Sequence, residues 1–260
     1  MAKLTLFIAS LLCSMASMSQ DNYEIQVYAS PTMLKGYTMF ELHSNYTFDG
    51  QKTTINDVYP SNHALHETLE ITQGIANNFE LGFYIFTSYT GPHGYQIIGS
   101  HIRPRVSVPE CWNWPFGFSL STEFGYQQRQ YSTDTWSLEI RPIIDKQWGN
   151  FYLSLNPTFG ISIKPDSADH VPDFEPNVKL SYAVHKLALG FEYYGDLGAI
   201  NDIPEISQQN HALFLAADLD LDPRWEINFG PGWGLTRSTD RFVFKIIIGR
   251  RIHWNTKQKT

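Results

Sequence analysis

The sequence predicts an all-β protein, a transmembrane antiparallel β-barrel of about twelve strands. Three observations lead to this prediction. Segments of about ten residues alternate between apolar and polar positions, which is the two-residue period of a β-strand. The connections between these segments alternate in length, and the chain begins with a segment typical of exported proteins. The 260 residues are enough for one large domain or two small ones, with 15% aromatic and only 17% charged residues.

The first nineteen residues have the three parts of a secretory signal peptide. Lys3 provides the positive charge, residues 4–12 form a short apolar core, and small residues follow. Cleavage after Ala16 or after Ser19 fits this pattern, and the apolar core is too short to span a bilayer. The predicted organisation is a signal peptide, 1–19, and an outer-membrane β-barrel domain, 20–260.

The two cysteines predict that the exported protein has no internal disulfide bond. Cys13 could carry a lipid anchor, but Leu12 occupies the position before it, where a small residue is expected. After cleavage only Cys111 remains, and a lone cysteine cannot form an internal disulfide.

Twelve segments after the signal peptide show the two-residue alternation, and turn-forming residues bound each of them. A strand of about 9–11 residues is long enough to cross a bilayer at a steep tilt. The segments are 36–48, 62–74, 79–89, 94–107, 115–127, 134–146, 150–163, 173–185, 187–196, 209–220, 223–234 and 240–253.

The connections form two sets that alternate along the chain. The short turns are 76–78, 109–114, 148–150, 185–186 and 220–222, and the longer loops include 49–61, 164–172 and 197–208. Short turns on one side and longer loops on the other are typical of outer-membrane barrels. We therefore expect the long loops to be extracellular and both termini to be periplasmic.

Alternation between apolar and polar residues occurs both in membrane barrels and in soluble β-sandwiches, so it does not distinguish them by itself. In segment 150–163, Phe151 and Leu153 share one face, whereas Ser154 and Asn156 share the other. In a membrane barrel the apolar face meets lipid and the polar face lines the lumen. Export, loop asymmetry and aromatic residues near segment ends favour the membrane. Those aromatics are Tyr37, Tyr46, Phe79, Tyr126, Trp136, Phe151, Trp225, Trp233 and Trp254.

Some residues do not suit this pattern. Five prolines fall inside segments on the apolar face, where proline removes a hydrogen-bond donor, so we expect bulges or bends there. They are Pro104, Pro142, Pro157, Pro176 and Pro231. Glu67 and Arg250 also fall on the lipid face, which implies a bulge, a register shift or a position near the membrane boundary.

The polar face carries many charges of both signs. The candidates to line the lumen are Glu41, Glu70, Arg103, Arg105, Glu123, Glu139, Arg141, Glu175, Lys179, Glu192, Glu226 and Lys245. Two interpretations remain open, a polar pore that orients a solute and a lumen filled by ion pairs, because buried charges need partners. Arg103 and Arg105 would repel each other, and Glu123 on the next segment is their expected partner.

No motif predicts a cofactor, a metal site or catalysis. Asp218, Asp220 and Asp222 share a face, but Pro223 stands where a calcium loop would need its turn. A metal site at His43, His63, His66 and Glu67 is disfavoured because the zinc-protease spacing is incomplete. Ser100 and His101 are adjacent in a strand, so they point to opposite faces and cannot form a catalytic dyad.

The charge balance limits the partners. The formal net charge is −7, so nucleic acid is an unlikely partner. The partners that the barrel prediction implies are outer-membrane lipids and a small-molecule solute. No oligomeric state follows from the sequence.

Three stretches resemble a diffuse group of bacterial outer-membrane barrels. They read LEITQGIANNFELGFYIF, LEIRPIIDKQWGNFYLSLNP and ADLDLDPRWEINFGPGWGLTRSTDRFVFKIIIGRR. The group is that of the proteins assigned to the MetA pathway of phenol degradation. The resemblance covers most of residues 60–253 and implies a transporter of small, often hydrophobic compounds.

The resemblance and the pattern together predict a location and a function. The location is the outer membrane of a Gram-negative bacterium, after signal-peptide cleavage. The function is passage of a small solute and not catalysis. The alternatives are a non-conducting structural or adhesive barrel that acts through its loops and, as a third, a membrane-embedded lipid hydrolase.

Overall fold

The computed structural model describes residues 23–163 and 171–254, and within these ranges twelve antiparallel strands form one closed barrel. The strands are β1 Tyr37–Asp49, β2 Leu65–Ala76, β3 Phe79–Thr90, β4 Gly94–Ser107, β5 Gly117–Gln127, β6 Trp136–Trp148, β7 Phe151–Ser162, β8 Asp173–Val184, β9 Leu187–Asp196, β10 Asn210–Leu219, β11 Trp225–Gly234 and β12 Phe242–His253. This confirms the predicted all-β barrel, and each predicted segment matches a strand to within three residues. The predicted signal peptide lies outside the described residues.

Each strand pairs with its neighbour in the chain, and β1 closes the barrel by pairing with β12. Tyr37 lies opposite His253 at one end of this seam, and Asp49 lies opposite Phe242 at the other. Over the described residues, no helix is both long and apolar enough to cross a membrane.

The two ends of the barrel differ in their connections. One end, here the turn end, carries tight turns such as Gly149–Asn150, where Gly149 takes a positive φ of 59°. Glycine suits that position because its missing side chain removes the steric penalty. The β4–β5 connection at this end contains a short 3₁₀ helix, Glu110–Trp112. The opposite end, here the loop end, carries the longer connections, including 50–64 and 197–209.

Side chains alternate across the barrel wall. Leu42 lies opposite Leu69 and Ile248, and these three side chains point outward, each 39–43% exposed. The next residue, His43, lies opposite Thr68 and Ile247, and all three are fully buried inside. Polar side chains such as His43 and Thr68 inside, with leucine and isoleucine outside, are the arrangement typical of a membrane barrel.

Of the bulges or bends expected at the prolines, the bulges are absent from the strand pairings of the described residues. The three register shifts occur at Thr47/Asp49, Gly74/Ala76 and Phe86/Thr87. Pro157 instead pairs in register with Pro176, and Leu81 pairs in register with Pro104. Near Pro142 the β6–β7 pairing is interrupted between Ile140 and Ile144, but it resumes in the same register. A missing donor therefore interrupts the ladder without adding a residue to the strand.

Glu67 and Arg250 lie near strand ends, which supports the boundary explanation. Glu67 is the third residue of β2 and accepts hydrogen bonds from Ser44, at 3.3 Å, and from Tyr95. Arg250 lies with its guanidinium carbon 4.5 Å from the centre of the Trp225 ring. Both charged groups thus have outward-facing partners at the ends of the barrel.

The chain before β1 enters the barrel. Residues 23–34, here the inner segment, lie inside the lumen and meet β1 at the turn end. Tyr23, Ile25, Val27 and Tyr28 are all buried there. The sequence did not predict this feature, which determines the shape of the lumen.

Candidate functional site in the barrel lumen

Hydrogen bonds fix the inner segment along its whole length. Near the loop end, Thr68 donates to the Tyr23 carbonyl oxygen at 2.7 Å. Lys245 of β12 donates to the Ile25 carbonyl oxygen at 3.0 Å. Thr68 and Lys245 lie on β2 and β12, the two strands that flank β1, so both bonds hold the start of the segment on this side of the barrel.

The second half of the segment continues through the lumen to the turn end. Arg105 donates to the carbonyl oxygens of Ala29 and Pro31, both at 3.0 Å. Ser30 donates its backbone N–H and its hydroxyl to the two oxygens of Asp145, each at 2.7 Å. These contacts satisfy backbone groups that would otherwise be buried without partners.

Apolar contacts hold the same segment, because part of the lumen wall is apolar. Ile25 and Val27 pack against Phe214 of β10 and Val243 of β12, together with Ala212 and Tyr194. Tyr23 packs with Tyr84, Phe86 and Ile98. The polar lining expected for the lumen is therefore replaced by apolar residues in two sectors of the wall, and the inner segment covers both.

Tyr28 lies at the centre of the lumen. The guanidinium groups of Arg103, Arg105 and Arg141 lie 4.9, 5.6 and 4.8 Å from the centre of its ring. Its hydroxyl donates to Glu24 and lies 3.1 Å from the hydroxyl of Tyr84. Three arginines around one aromatic ring give cation–π attraction where water is excluded.

The backbone of Tyr28 is also bound. Its N–H donates to Asn156 Oδ1 at 2.7 Å, and its carbonyl oxygen accepts from Ser154 at 2.6 Å. Ser154 and Asn156 are both fully buried on β7. Tyr28 is thus anchored through its backbone to β7 and through its side chain to β3, β4 and β6.

Arg103 is the centre of a buried ion-pair network. It is 1% exposed and lies 2.5 Å from Glu70 Oε1 and 3.0 Å from Glu80 Oε1. Arg105 shares Glu80 at 2.7 Å. Glu70 is on β2, two strands away from Arg103. The side chain of Arg103 reaches it by passing over Gly82, the residue of β3 that lies opposite Arg103. A Cβ at position 82 would lie 3.3 Å from the guanidinium.

The expected pairing of Glu123 with Arg103 and Arg105 is wrong. Glu123 instead lies 2.6 Å from His101 Nδ1. The missing side chain of Gly82 explains the difference, because it opens a path for Arg103 towards β2 and away from β5. Glu80, whose side chain also points into the lumen, pairs with both arginines in place of Glu123.

Two further charge groups complete the lumen. Lys179 lies 3.1 Å from Glu192 and 2.7 Å from Asp218, and Lys245 pairs with Glu192 from the other side. Arg141 lies 2.7 Å from Glu139 and 3.4 Å from Glu24 of the inner segment. The inner segment therefore contributes its own charge to the network.

Most of the twelve predicted lumen residues are buried. Glu139 and Glu175 are partly buried, and Glu226 is exposed beside a cavity at the turn end. The buried set is Glu41, Glu70, Arg103, Arg105, Glu123, Arg141, Lys179, Glu192 and Lys245. The lumen residues that the sequence did not indicate are those of the inner segment. The alternation of Tyr23, Ile25 and Val27 was the available signal.

Two cavities lie inside the barrel, one on each side of the inner segment. The loop-side cavity has a volume of about 220 Å³ and is lined by Tyr23 and Glu24. The turn-side cavity has a volume of about 600 Å³ and is lined by much of the segment from Gln26 to Leu34. The inner segment and its ion pairs thus separate two spaces that would otherwise be continuous.

The two cavities differ in charge. Arg103, Arg105, Lys179 and Arg251 all line the turn-side cavity, together with six carboxylates. The loop-side cavity has Arg141 as its only lysine or arginine among the described residues, against seven carboxylates. Those carboxylates belong to Glu24, Glu123, Asp134, Glu139, Asp173, Glu175 and Asp196.

The disfavoured metal and catalytic candidates are separated in the structure. Asp218 binds Lys179, whereas Asp222 accepts two hydrogen bonds from the Arg224 side chain at 2.9 and 2.6 Å, which lowers the pKa of Asp222. Ser100 is exposed and His101 is buried, as expected for opposite faces. In the part of the chain that the structure describes, no three His, Cys, Asp or Glu side chains are grouped to hold a metal ion.

Comparisons with known proteins support the fold. No protein-family model and no curated protein matches the sequence. The COG4313 outer membrane channel from Pseudomonas putida F1 is similar, with a TM-score of 0.58 and 9% identity over 88% of this chain and 100% of that chain.

The KdgM porin is also similar, with a TM-score of 0.51 and 11% identity over 83% of this chain and 99% of that chain. A KdgM porin in complex with disordered oligogalacturonate gives a TM-score of 0.53 at 10% identity, with the same coverage. These likenesses establish a porin-like barrel fold. The group suggested by the three quoted stretches is not confirmed.

Proposed function

We propose that the protein is an outer-membrane channel for small solutes in a Gram-negative bacterium, closed at rest by its inner segment. The observation that carries this proposal is the pair of cavities that the segment separates inside a closed barrel. The outward-facing apolar residues suit lipid as their surroundings. The fold shared with a channel and a porin adds support.

The resting closure follows from how the lumen is filled. A barrel of twelve strands lies between small filled barrels and wide porins, so its lumen can be open or occupied. Here Tyr28 and the arginines around it occupy the centre. A solute would pass only when the segment leaves its contacts. The loop end is taken as extracellular, and removal of residues 1–19 would leave the inner segment close to the mature N-terminus.

A structural barrel is the second candidate. The complete burial of Glu70 and Glu80 around Arg103 favours it, because such a network stabilises one fixed arrangement. The third alternative, a lipid hydrolase, gains no support, since Ser100 and His101 lie on opposite faces.

Deleting residues 23–33 should convert rare openings into a steady conductance in planar bilayers. The deletion joins the two cavities and leaves the strand pairings intact. A milder version, Tyr28→Ala, should raise the open fraction because it removes the ring that three arginines contact. The matched control is Tyr182→Ala, an exposed ring on the outer face of β8, which should leave conductance unchanged.

The deletion also separates the two candidates. Its β-sheet circular dichroism establishes that the barrel has formed before any recording is made. A folded deletion variant that does not conduct would contradict the channel proposal and support the structural barrel.

A further inference from the structure

The loop-side cavity has the chemistry of a binding site for a small organic cation. We propose that it binds an amine or ammonium group attached to an apolar body, and this inference, which names a substrate class, rests on the proposed channel function. Its volume of about 220 Å³ corresponds to about seven water molecules. That space suits a compact molecule and not a polymer.

The charge of the lining selects the sign of the ligand. Arg141, the one guanidinium there among the described residues, is already paired with Glu24 and Glu139. Glu175 and Asp173 line the same cavity, and neither side chain has an ion pair or hydrogen bond within the described part of the chain. Two carboxylates without an ion-pair partner among the described residues favour a cation over an anion.

An unpaired histidine points to a ligand independently of the charge. His66 is 6% exposed and lines the cavity, and neither of its ring nitrogens has a hydrogen-bond partner. Its ring is held edge-on against Tyr23, with the ring centres 4.7 Å apart. A buried polar group without a partner is rare in folded proteins. A ligand N–H could donate to a neutral imidazole nitrogen here.

The lining of the cavity suits an organic cation better than a bare metal ion. No three His, Cys, Asp or Glu side chains converge on one point in the described ranges. Aromatic rings also line the space, including Tyr23, Tyr59 and Tyr131, with the last two 5.5 Å apart in an edge-to-face arrangement. Aromatic faces attract organic cations through their quadrupoles. Carboxylates at the wall and rings around the body are complementary to an arylalkylammonium ion.

Equilibrium binding to the refolded full barrel tests this inference separately from conductance. The probe is 2-phenylethylammonium, and the matched probes are neutral 2-phenylethanol and anionic phenylacetate. We expect the cation alone to bind, measured by calorimetry in detergent micelles. Glu175→Gln, which removes a charge without stranding a partner, should weaken binding by about tenfold to a hundredfold. His66→Phe, which keeps the ring contact with Tyr23, should also weaken it.

The control variant is Glu226→Gln, because Glu226 lines the other cavity. It should bind the cation as the unaltered protein does. Equal binding of phenylacetate and the cation, unchanged binding in Glu175→Gln, or no cation binding at all would overturn the inference. Because binding is measured at equilibrium, a barrel that binds the cation but never conducts would contradict the channel proposal and leave this site supported.

Discussion

Replacing Arg103 with methionine should lower the free energy of unfolding by about 3–5 kcal/mol, because it leaves the buried carboxylate of Glu70 without its arginine and Glu80 with Arg105 alone. Glu70 and Glu80 lie 2.5 and 3.0 Å from the guanidinium and are themselves fully buried. In this desolvated setting added salt cannot screen the loss. Urea unfolding of the refolded protein in lipid vesicles, at low and high salt, measures it.

The matched control is Arg241→Gln at the loop end. Arg241 lies 3.7 Å from Asp49 with a side chain that is 81% exposed, so this pair should contribute about 0–1 kcal/mol and lose that in high salt. A loss below about 1 kcal/mol in Arg103→Met would show that water screens the centre of the lumen. That result would contradict the closed lumen described here.

Leu69→Arg should lower the free energy of unfolding in lipid by about 2–4 kcal/mol, because it places a charge on the outer face at mid-strand. Leu69 lies opposite Leu42 and Ile85 and points outward. The measurement is again unfolding in vesicles.

A leucine outside the strands provides the comparison for Leu69. Leu235 follows β11 at the loop end and is 59% exposed. Leu235→Arg should cost about 0–1 kcal/mol, since the penalty falls towards the interface. Equal losses at the two positions would mean that Leu69 does not face the centre of a bilayer.

The strands could be predicted because a two-residue period is visible in the sequence alone. The alternation of Phe151 and Leu153 with Ser154 and Asn156 needs no tertiary information. The ion pairs could not be predicted in the same way, because they depend on register between strands. Arg103 finds Glu70 only because Gly82 lies between them, and no local pattern indicates that alignment.

The inner segment escaped prediction for a different reason. Tyr23, Ile25 and Val27 alternate like a short strand, but their partners are inward-facing apolar residues such as Phe214 and Val243. The sequence shows only that Phe214 and Val243 are apolar strand residues. That they point into the lumen becomes visible only once the barrel is closed. The same limit applies to the prolines, because the effect of a missing N–H depends on which carbonyl group of the neighbouring strand would have accepted it.

Reversible locking of the inner segment tests the central claim most directly. Ser30 and Asp145 are in direct contact, so Ser30→Cys with Asp145→Cys places two thiols together, and Cys111→Ser removes the competing exposed thiol. Tyr28 lies two residues from Ser30, and two residues of chain span at most about 7 Å. A disulfide there therefore keeps Tyr28 inside the lumen.

Single-channel recording of this one variant, before and after reduction, gives the result. The account predicts that the oxidised barrel stays closed and that reduction restores openings, while Cys111→Ser alone does not respond to the reductant. Openings of equal frequency and size in the oxidised and reduced barrels would contradict the claim that the inner segment closes the channel.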